Sequence, residues 1–193
     1  GWHSTTVDNI GDVGEYTSLD SNGYPHISYY DSSNADLKYA YKDSGGWHIA
    51  TVDGTGSVGT YTSLALDSNG YPHISYYNGT NGDLRYAYKD SGGWHTVTVD
   101  STGVGWFTSL ALDSNGYPHI SYNNYNTNTL NYTYKDSGDW HTVTVDNSAI
   151  TGWYTSLALD SNGYPHISYY SFNNYDLKYA YKDSGGWHIA TVD

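Results

Sequence analysis

Nine histidines and 19 aspartates supply this 193-residue chain with residue types suited to metal binding or acid–base catalysis. Their placement argues for other work. Four histidines follow proline (His26, His73, His119, His166) and five follow tryptophan (His3, His48, His95, His141, His188). Each therefore recurs in one local setting, which a repeated packing or hydrogen-bonding role explains better than a ligand set. Most aspartates, such as Asp67, Asp90 and Asp100, end apolar runs or open turn-forming stretches, where a short carboxylate satisfies backbone N–H groups. The acid-rich loops have donors of the type calcium takes, but none reads D-x-[DN]-x-[DN]-G, so no cofactor or metal is expected. General acid–base catalysis needs two groups in dissimilar environments, whereas these candidates come in equivalent copies and Glu15 is the single glutamate. The expectation is a protein that is not an enzyme.

The equivalence comes from an internal repeat. The segment DSNGYPHISY recurs with its proline at Pro25, Pro72, Pro118 and Pro165, and Trp-His falls at Trp2, Trp47, Trp94, Trp140 and Trp187. In the second copy, four short runs rich in Tyr, Val, Ile and Thr read as strands over 60–66, 71–77, 84–89 and 94–99, separated by Gly, Asn, Asp and Ser clusters. No window carries apolar residues at helical spacing. The Asn69-Gly70 pair suits a tight hairpin, and Pro72 opens a strand where its missing N–H does least harm. Each copy is thus an antiparallel meander, and tandem meanders of this length pack face to face as a propeller. The predicted fold is all-β: one propeller domain over 1–193, with a spare outer strand at 1–8 and four-stranded blades at 9–53, 54–100, 101–146 and 147–193. Repeat one lacks two residues before Asp20, which predicts a shortened inner strand.

Composition narrows the partners. The net charge of −13 disfavours nucleic acid and anionic membranes, both of which need a cationic footprint. The absence of cysteine removes disulfides and thiol chemistry, and no apolar run is long enough to insert in a membrane. A chain starting at Gly1 with no methionine reads as a processed, excised or engineered piece of something longer. Its palette of Tyr, Gly, Asn, Ser and Thr fits an extracellular or cell-surface protein.

The run Val104-Gly105-Trp106-Phe107-Thr108-Ser109-Leu110-Ala111-Leu112-Asp113-Ser114-Asn115-Gly116-Tyr117 resembles the repeat of the five-bladed tachylectin, a sugar-binding propeller. Every copy shares the likeness, through turn and packing positions. Pro-His-Ile-Ser-Tyr and the Trp-containing outer strand also look like sialidase-type blades. Sialidases grip a carboxylate with three arginines, and this chain has only Arg85. The resemblance implies a propeller and, through the lectin, glycan binding.

Comparing the copies locates the variation. The loops joining first to second and third to fourth strands are nearly constant, changing only at Asp139. The loops on the other face all differ, and the second-to-third connections read DSSNAD, NGTNGD, NNYNTNT and SFNNYD. Loops on a rigid scaffold are the usual place for recognition. Trp106, Trp153, Tyr125, Phe172 and Tyr175, beside Asn123, Asn124, Asn173 and Asn174, are the candidate ligand residues, suited to stacking on sugar rings with amide hydrogen bonds. Unselected drift after duplication would leave the same pattern. Asn78-Gly79-Thr80 and Asn131-Tyr132-Thr133 match the N-glycosylation sequon.

The spare segment, with Trp2, His3 and Val7, predicts assembly. An unpaired strand is a template for another chain, so a homo-oligomer or polymer of this chain is expected alongside glycans as partner. A structural subunit joined through its terminal strands, with no small ligand, is the alternative function.

Overall fold

The computed structural model describes residues 1–101, 103–148 and 150–193. It holds sixteen strands in four separate antiparallel sheets, each a meander in chain order. Blade 1 comprises β1 (Val13–Ser21), β2 (Pro25–Asp31), β3 (Asp36–Asp43) and β4 (Gly46–Asp53). Blade 2 comprises β5 (Val58–Leu66), β6 (Pro72–Asn78), β7 (Asp83–Asp90) and β8 (Gly93–Asp100). Blade 3 comprises β9 (Val104–Leu112), β10 (Pro118–Asn124), β11 (Thr129–Lys135) and β12 (Trp140–Asp146). Blade 4 comprises β13 (Trp153–Leu159), β14 (Pro165–Ser171), β15 (Asp176–Asp183) and β16 (Gly186–Thr191). The architecture is a β-propeller array of four blades.

Turn chemistry sets the blade edges. In blades 2 to 4, Asp67, Asp113 and Asp160 each accept two backbone N–H bonds at 2.8 Å, from the residues two and four positions on. Between third and fourth strands, Asp43, Asp90 and Asp183 each accept a glycine N–H at 2.7 Å, and the next glycine takes a φ near 120°. Blade 3 has Asp139 at that last position, where a side chain disfavours such a φ; β12 accordingly starts one residue later, at Trp140.

The first blade corrects one expectation. β1 is not shortened: Asp20 pairs with His26 and Ser21 with Pro25, as Ala65 pairs with His73 and Leu66 with Pro72 in blade 2. The missing residues come out of the turn instead, because shortening the strand would sacrifice ladder hydrogen bonds. Asp20 loses its turn role and accepts the backbone N–H of Leu66 in blade 2, at 2.7 Å.

Blades pack on one another through repeated chemistry. Three apolar clusters lie between successive blades, around Leu37, Val58 and Ile74, around Leu84, Val104 and Ile120, and around Leu130, Leu157 and Ile167. Beside them a hydroxyl pair crosses each interface: Thr62 to Ser28, Ser75 to Thr108, and Ser121 to Thr155, at 2.7–2.8 Å. At the rim, Tyr76, Tyr122 and Tyr169 donate to the aspartate ending the preceding blade, Asp53, Asp100 and Asp146. Burial would raise the Asp146 carboxyl, but Lys178 Nζ at 2.5 Å, together with Ser148 and Tyr169, holds it down at about 2. Inner strands β1, β5, β9 and β13 pack in sequence, and no comparable packing joins β13 back to β1.

Residues 1–12 belong to no sheet. The segment foreseen as a spare strand is indeed left over from the four complete blades, yet it forms no ladder. Trp2 and His3 are exposed, Val7 is half-buried, and Asp8 accepts a 2.7 Å hydrogen bond from Tyr29.

Candidate binding face

The histidines serve the blades. His26, His73, His119 and His166 each bond through Nδ1 to the hydroxyl of a third-strand tyrosine: Tyr39, Tyr86, Tyr132 and Tyr179. Burial pushes His26, His73 and His119 below the ordinary histidine range. Rim histidines His48, His95, His141 and His188 pair with Asp43, Asp90, Asp136 and Asp183 at 2.7–3.0 Å while stacking on Tyr41, Tyr88, Tyr134 and Tyr181. These are packing and hydrogen-bonding roles repeated in every blade.

On the variable face an aromatic belt emerges, built by a backbone irregularity. A glycine at positive φ lies in or just before each inner strand (Gly14, Gly59, Gly105 and, ahead of β13, Gly152), followed two residues later by an aromatic also at positive φ: Tyr16, Tyr61, Phe107 and Tyr154, between 51° and 56°. Register shifts at these points mark bulges, which re-aim side chains that regular alternation would direct elsewhere. A positive φ is uncommon for a bulky residue, and its recurrence in all four blades makes it a constant of the repeat. The four rings line a cavity of about 250 Å³ at the centre of the array, with Thr17, Thr62, Thr108 and Thr155 beneath. Neighbouring rings contact edgewise or tilted at 4.9 Å (Tyr16–Tyr61), 4.7 Å (Tyr61–Phe107) and 4.4 Å (Phe107–Tyr154). Burial, followed by the neighbouring Tyr16, pushes the Tyr61 phenol up to about 12.

The belt absorbs most of the aromatic residues singled out by sequence. Trp106 lies 4.7 Å from Tyr125, whose hydroxyl bonds to that of Tyr77; this bond and then burial raise the Tyr125 phenol to about 12. Trp153 contacts Phe107 and Phe172, each at 5.4 Å, and Phe172 contacts Tyr175 at 5.9 Å. Both indoles are half-buried with their N–H groups inside and without an acceptor among the described residues, so they offer a ligand ring surface rather than a donor. Trp153, Tyr154, Tyr170 and Phe172 line an open depression of about 390 Å³. Tyr154 and Tyr175 are 66% and 75% exposed, so this end of the belt has its rings free for a ligand.

The amides divide. Asn173 and Asn174 are exposed beside Phe172 and Tyr175. Asn124 is half-buried and its Oδ1 caps the loop, accepting from the backbone of Asn126 and Thr127 at 3.1 Å. Asn123 is fully buried: its Nδ2 donates to Thr151 O at 2.7 Å, so it ties blade 3 to the following loop and faces no ligand. Both sequon asparagines are also buried, at 2% and 5% exposure, although Gly79 and Thr80 are exposed. Asn78 Oδ1 caps its own turn, accepting from Thr80 N at 3.0 Å, and Asn131 Oδ1 accepts from Thr129 at 2.9 Å within β11. A tight turn and an interior strand thus hold the two amide oxygens that the tripeptides display.

Sequence reasoning missed Tyr16, Tyr61, Phe107, Tyr154, Tyr77 and Tyr170. The signal was present, a glycine two residues before an aromatic in each copy, but repetition made these positions look like packing. Another asymmetry also escaped notice: Asp31 faces Asp36 across a hairpin in blade 1, where the other copies have Asn78 and Asp83, Asn124 and Thr129, or Ser171 and Asp176. Burial and then the Asp31 charge raise the Asp36 carboxyl, while Asp31 is engaged by Asn34 at 2.9 and 3.1 Å as a turn cap.

No known protein family and no curated protein sequence matches the chain. Solved structures do. An exo-β-1,3-galactanase from Phanerochaete chrysosporium superposes with a TM-score of 0.62 at 13% identity, covering 100% of this chain and 52% of that one. A Hadza microbial sialidase gives 0.57 at 12% identity, covering 93% and 46%. A fucose lectin from Kordia zhangzhouensis gives 0.49 at 21% identity, covering 67% and 96%. The chain thus spans about half the length of the galactanase and the sialidase. At these identities the likeness to the galactanase and the sialidase is one of fold, and it agrees with the propeller read from the sheets.

Proposed function

We propose that the chain is a non-catalytic carbohydrate-binding module whose variable face stacks sugar rings on the aromatic belt. One observation carries this reading: the belt ends in an open depression walled by Trp153, Tyr154, Tyr170 and Phe172, flanked by exposed Tyr175, Asn173 and Asn174. Pyranose rings present C–H faces that pack on aromatic rings, and their hydroxyls pair with amides and phenols; rings already packed on one another lose little freedom on binding. Among the described residues this depression is lined by no charged side chain, which favours neutral sugars over acidic ones.

The test is a glycan array followed by titration calorimetry on the best hit. Phe172→Ala and Tyr175→Ala, both at exposed positions, are expected to weaken binding on the order of tenfold each, about 1.4 kcal/mol. His95→Ala on the rim should leave it unchanged. Absence of any glycan ligand, or equal affinity across these variants, overturns the reading. Release of a reducing sugar from that ligand would overturn its non-catalytic part alone.

A further inference from the structure

Three interblade interfaces are sealed, and the two halves of a fourth stand open at opposite ends of the array. Leu37, Leu84 and Leu130 are 0% exposed under the following blade, whereas the equivalent Leu177 is 47% exposed. On the other half, Leu64, Leu110 and Leu157 are 6–9% exposed against the preceding blade, and the equivalent Leu19 is 65% exposed. Polar partners are split the same way. Ser28, Ser75 and Ser121 meet the threonine of the next blade, while Ser168 and Thr17 are both exposed. Ser18, Ser63 and Ser109 accept the backbone N–H of Leu64, Leu110 and Leu157 at 2.9–3.0 Å, and the equivalent Ser156 is exposed. A Cβ on Gly59, Gly105 or Gly152 would meet the Cα of Leu37, Leu84 or Leu130 at 2.7–2.9 Å, yet one on Gly14 would meet nothing within 4 Å. Gly14 is shaped for a leucine that is missing from in front of it, and Leu177 is that leucine at the far end of the chain.

We propose that a second copy of this chain docks head to tail, its blade 1 on the outer face of blade 4, forming a fourth interface like the three within the chain. The occupant follows from continuity: both halves are built from the residues that mate three times over inside the molecule. This is a heterologous contact, with different surfaces on the two copies. The Asp8–Tyr29 bond is the one hydrogen bond tying residues 1–8 to blade 1 among the described residues. Asp193 is the repeat equivalent of Asp53, Asp100 and Asp146, so on docking it takes Tyr29 of the arriving copy, and residues 1–8 of that copy lift away. The N-terminal segment is thus a removable cover on one docking face, a different part from the pairing strand foreseen in the sequence.

The experiment is sedimentation velocity of the full chain across a hundredfold concentration range, beside Leu19→Asp and Leu177→Asp. Both leucines are already exposed, so the variants should keep the circular dichroism and thermal midpoint of the dilute parent. The parent is expected to grow in mass with concentration, and each variant alone to stay monomeric. Mixed one to one, the two variants should form a complex of twice the monomer mass and no larger, since each retains one intact face. A parent that stays monomeric throughout, a variant that self-associates like the parent, or a mixture that forms no complex each overturns the proposal. Glycan binding plays no part in these readouts.

Discussion

The interface between blades 2 and 3 and the outer faces of blades 1 and 4 are made from equivalent positions of the repeat, and one is a core while the others are surface. Leu84 and Leu177 lie in segments that differ only by Arg85 for Lys178, DLRYAY and DLKYAY, and hold the same place in their sheets. One is sealed and the other half-exposed because a blade stands over the first only. Burial here is a property of position in the array, so equivalent substitutions should differ in consequence according to blade.

The largest contrast is expected from Leu84→Ala against Leu177→Ala. Emptying a sealed interface costs about 2–5 kcal/mol, and trimming a half-exposed leucine should cost under about 1 kcal/mol. Urea denaturation of the two variants, at concentrations where the chain is monomeric, measures both. Equal losses would mean the outer face is covered in solution. Next comes Gly59→Ala against Gly14→Ala. Both positions have positive φ, near 109° and 97°, but only the first adds a contact at 2.7 Å with the Leu37 Cα. The difference between them should be about 1–3 kcal/mol, the usual cost of overpacking.

A smaller effect separates Tyr76→Phe from Tyr29→Phe. The first strips a hydroxyl from buried Asp53, which Arg85 also pairs at 2.9 Å; the second strips one from Asp8 at the exposed segment. About 1–2 kcal/mol is expected for the buried pair and a few tenths for the other. The smallest effect is pH dependence. His73 and His119 are held neutral by burial, so their folded values lie below those of the unfolded chain. Their contribution is complete above the unfolded value of about 6.5 and is lost as the pH falls through it toward the folded values. The rim pairs act in a lower window: His95 and Gly92 hydrogen bonds keep Asp90 below the usual carboxylate range, and that stability fades only as acid titrates it. Thermal midpoints from pH 8 to pH 5 should therefore decline, and His73→Asn with His119→Asn should flatten the slope.

Much of this was legible in the chain itself. Strand positions in the second copy fall within two residues of β5 to β8, because Asp, Asn and Gly at turns and β-branched or aromatic runs between them are local signals. The grouping of Trp106 with Tyr125 and of Trp153 with Phe172 on one face followed from loop variation alone. Depth was not legible: Asn78, Asn123 and Asn131 look like surface amides and are buried, because turn caps and blade packing consume them. Nor was the aromatic belt, since a bulge overrides the two-residue alternation on which facing is reckoned.

Repeat length, strand order and turn type were set by the sequence, through backbone preferences that act over a few residues. Which leucines are core, where the central rings point and which two faces are left without a neighbour were decided by the packing of blades, because burial depends on residues some 46 positions away rather than on those alongside.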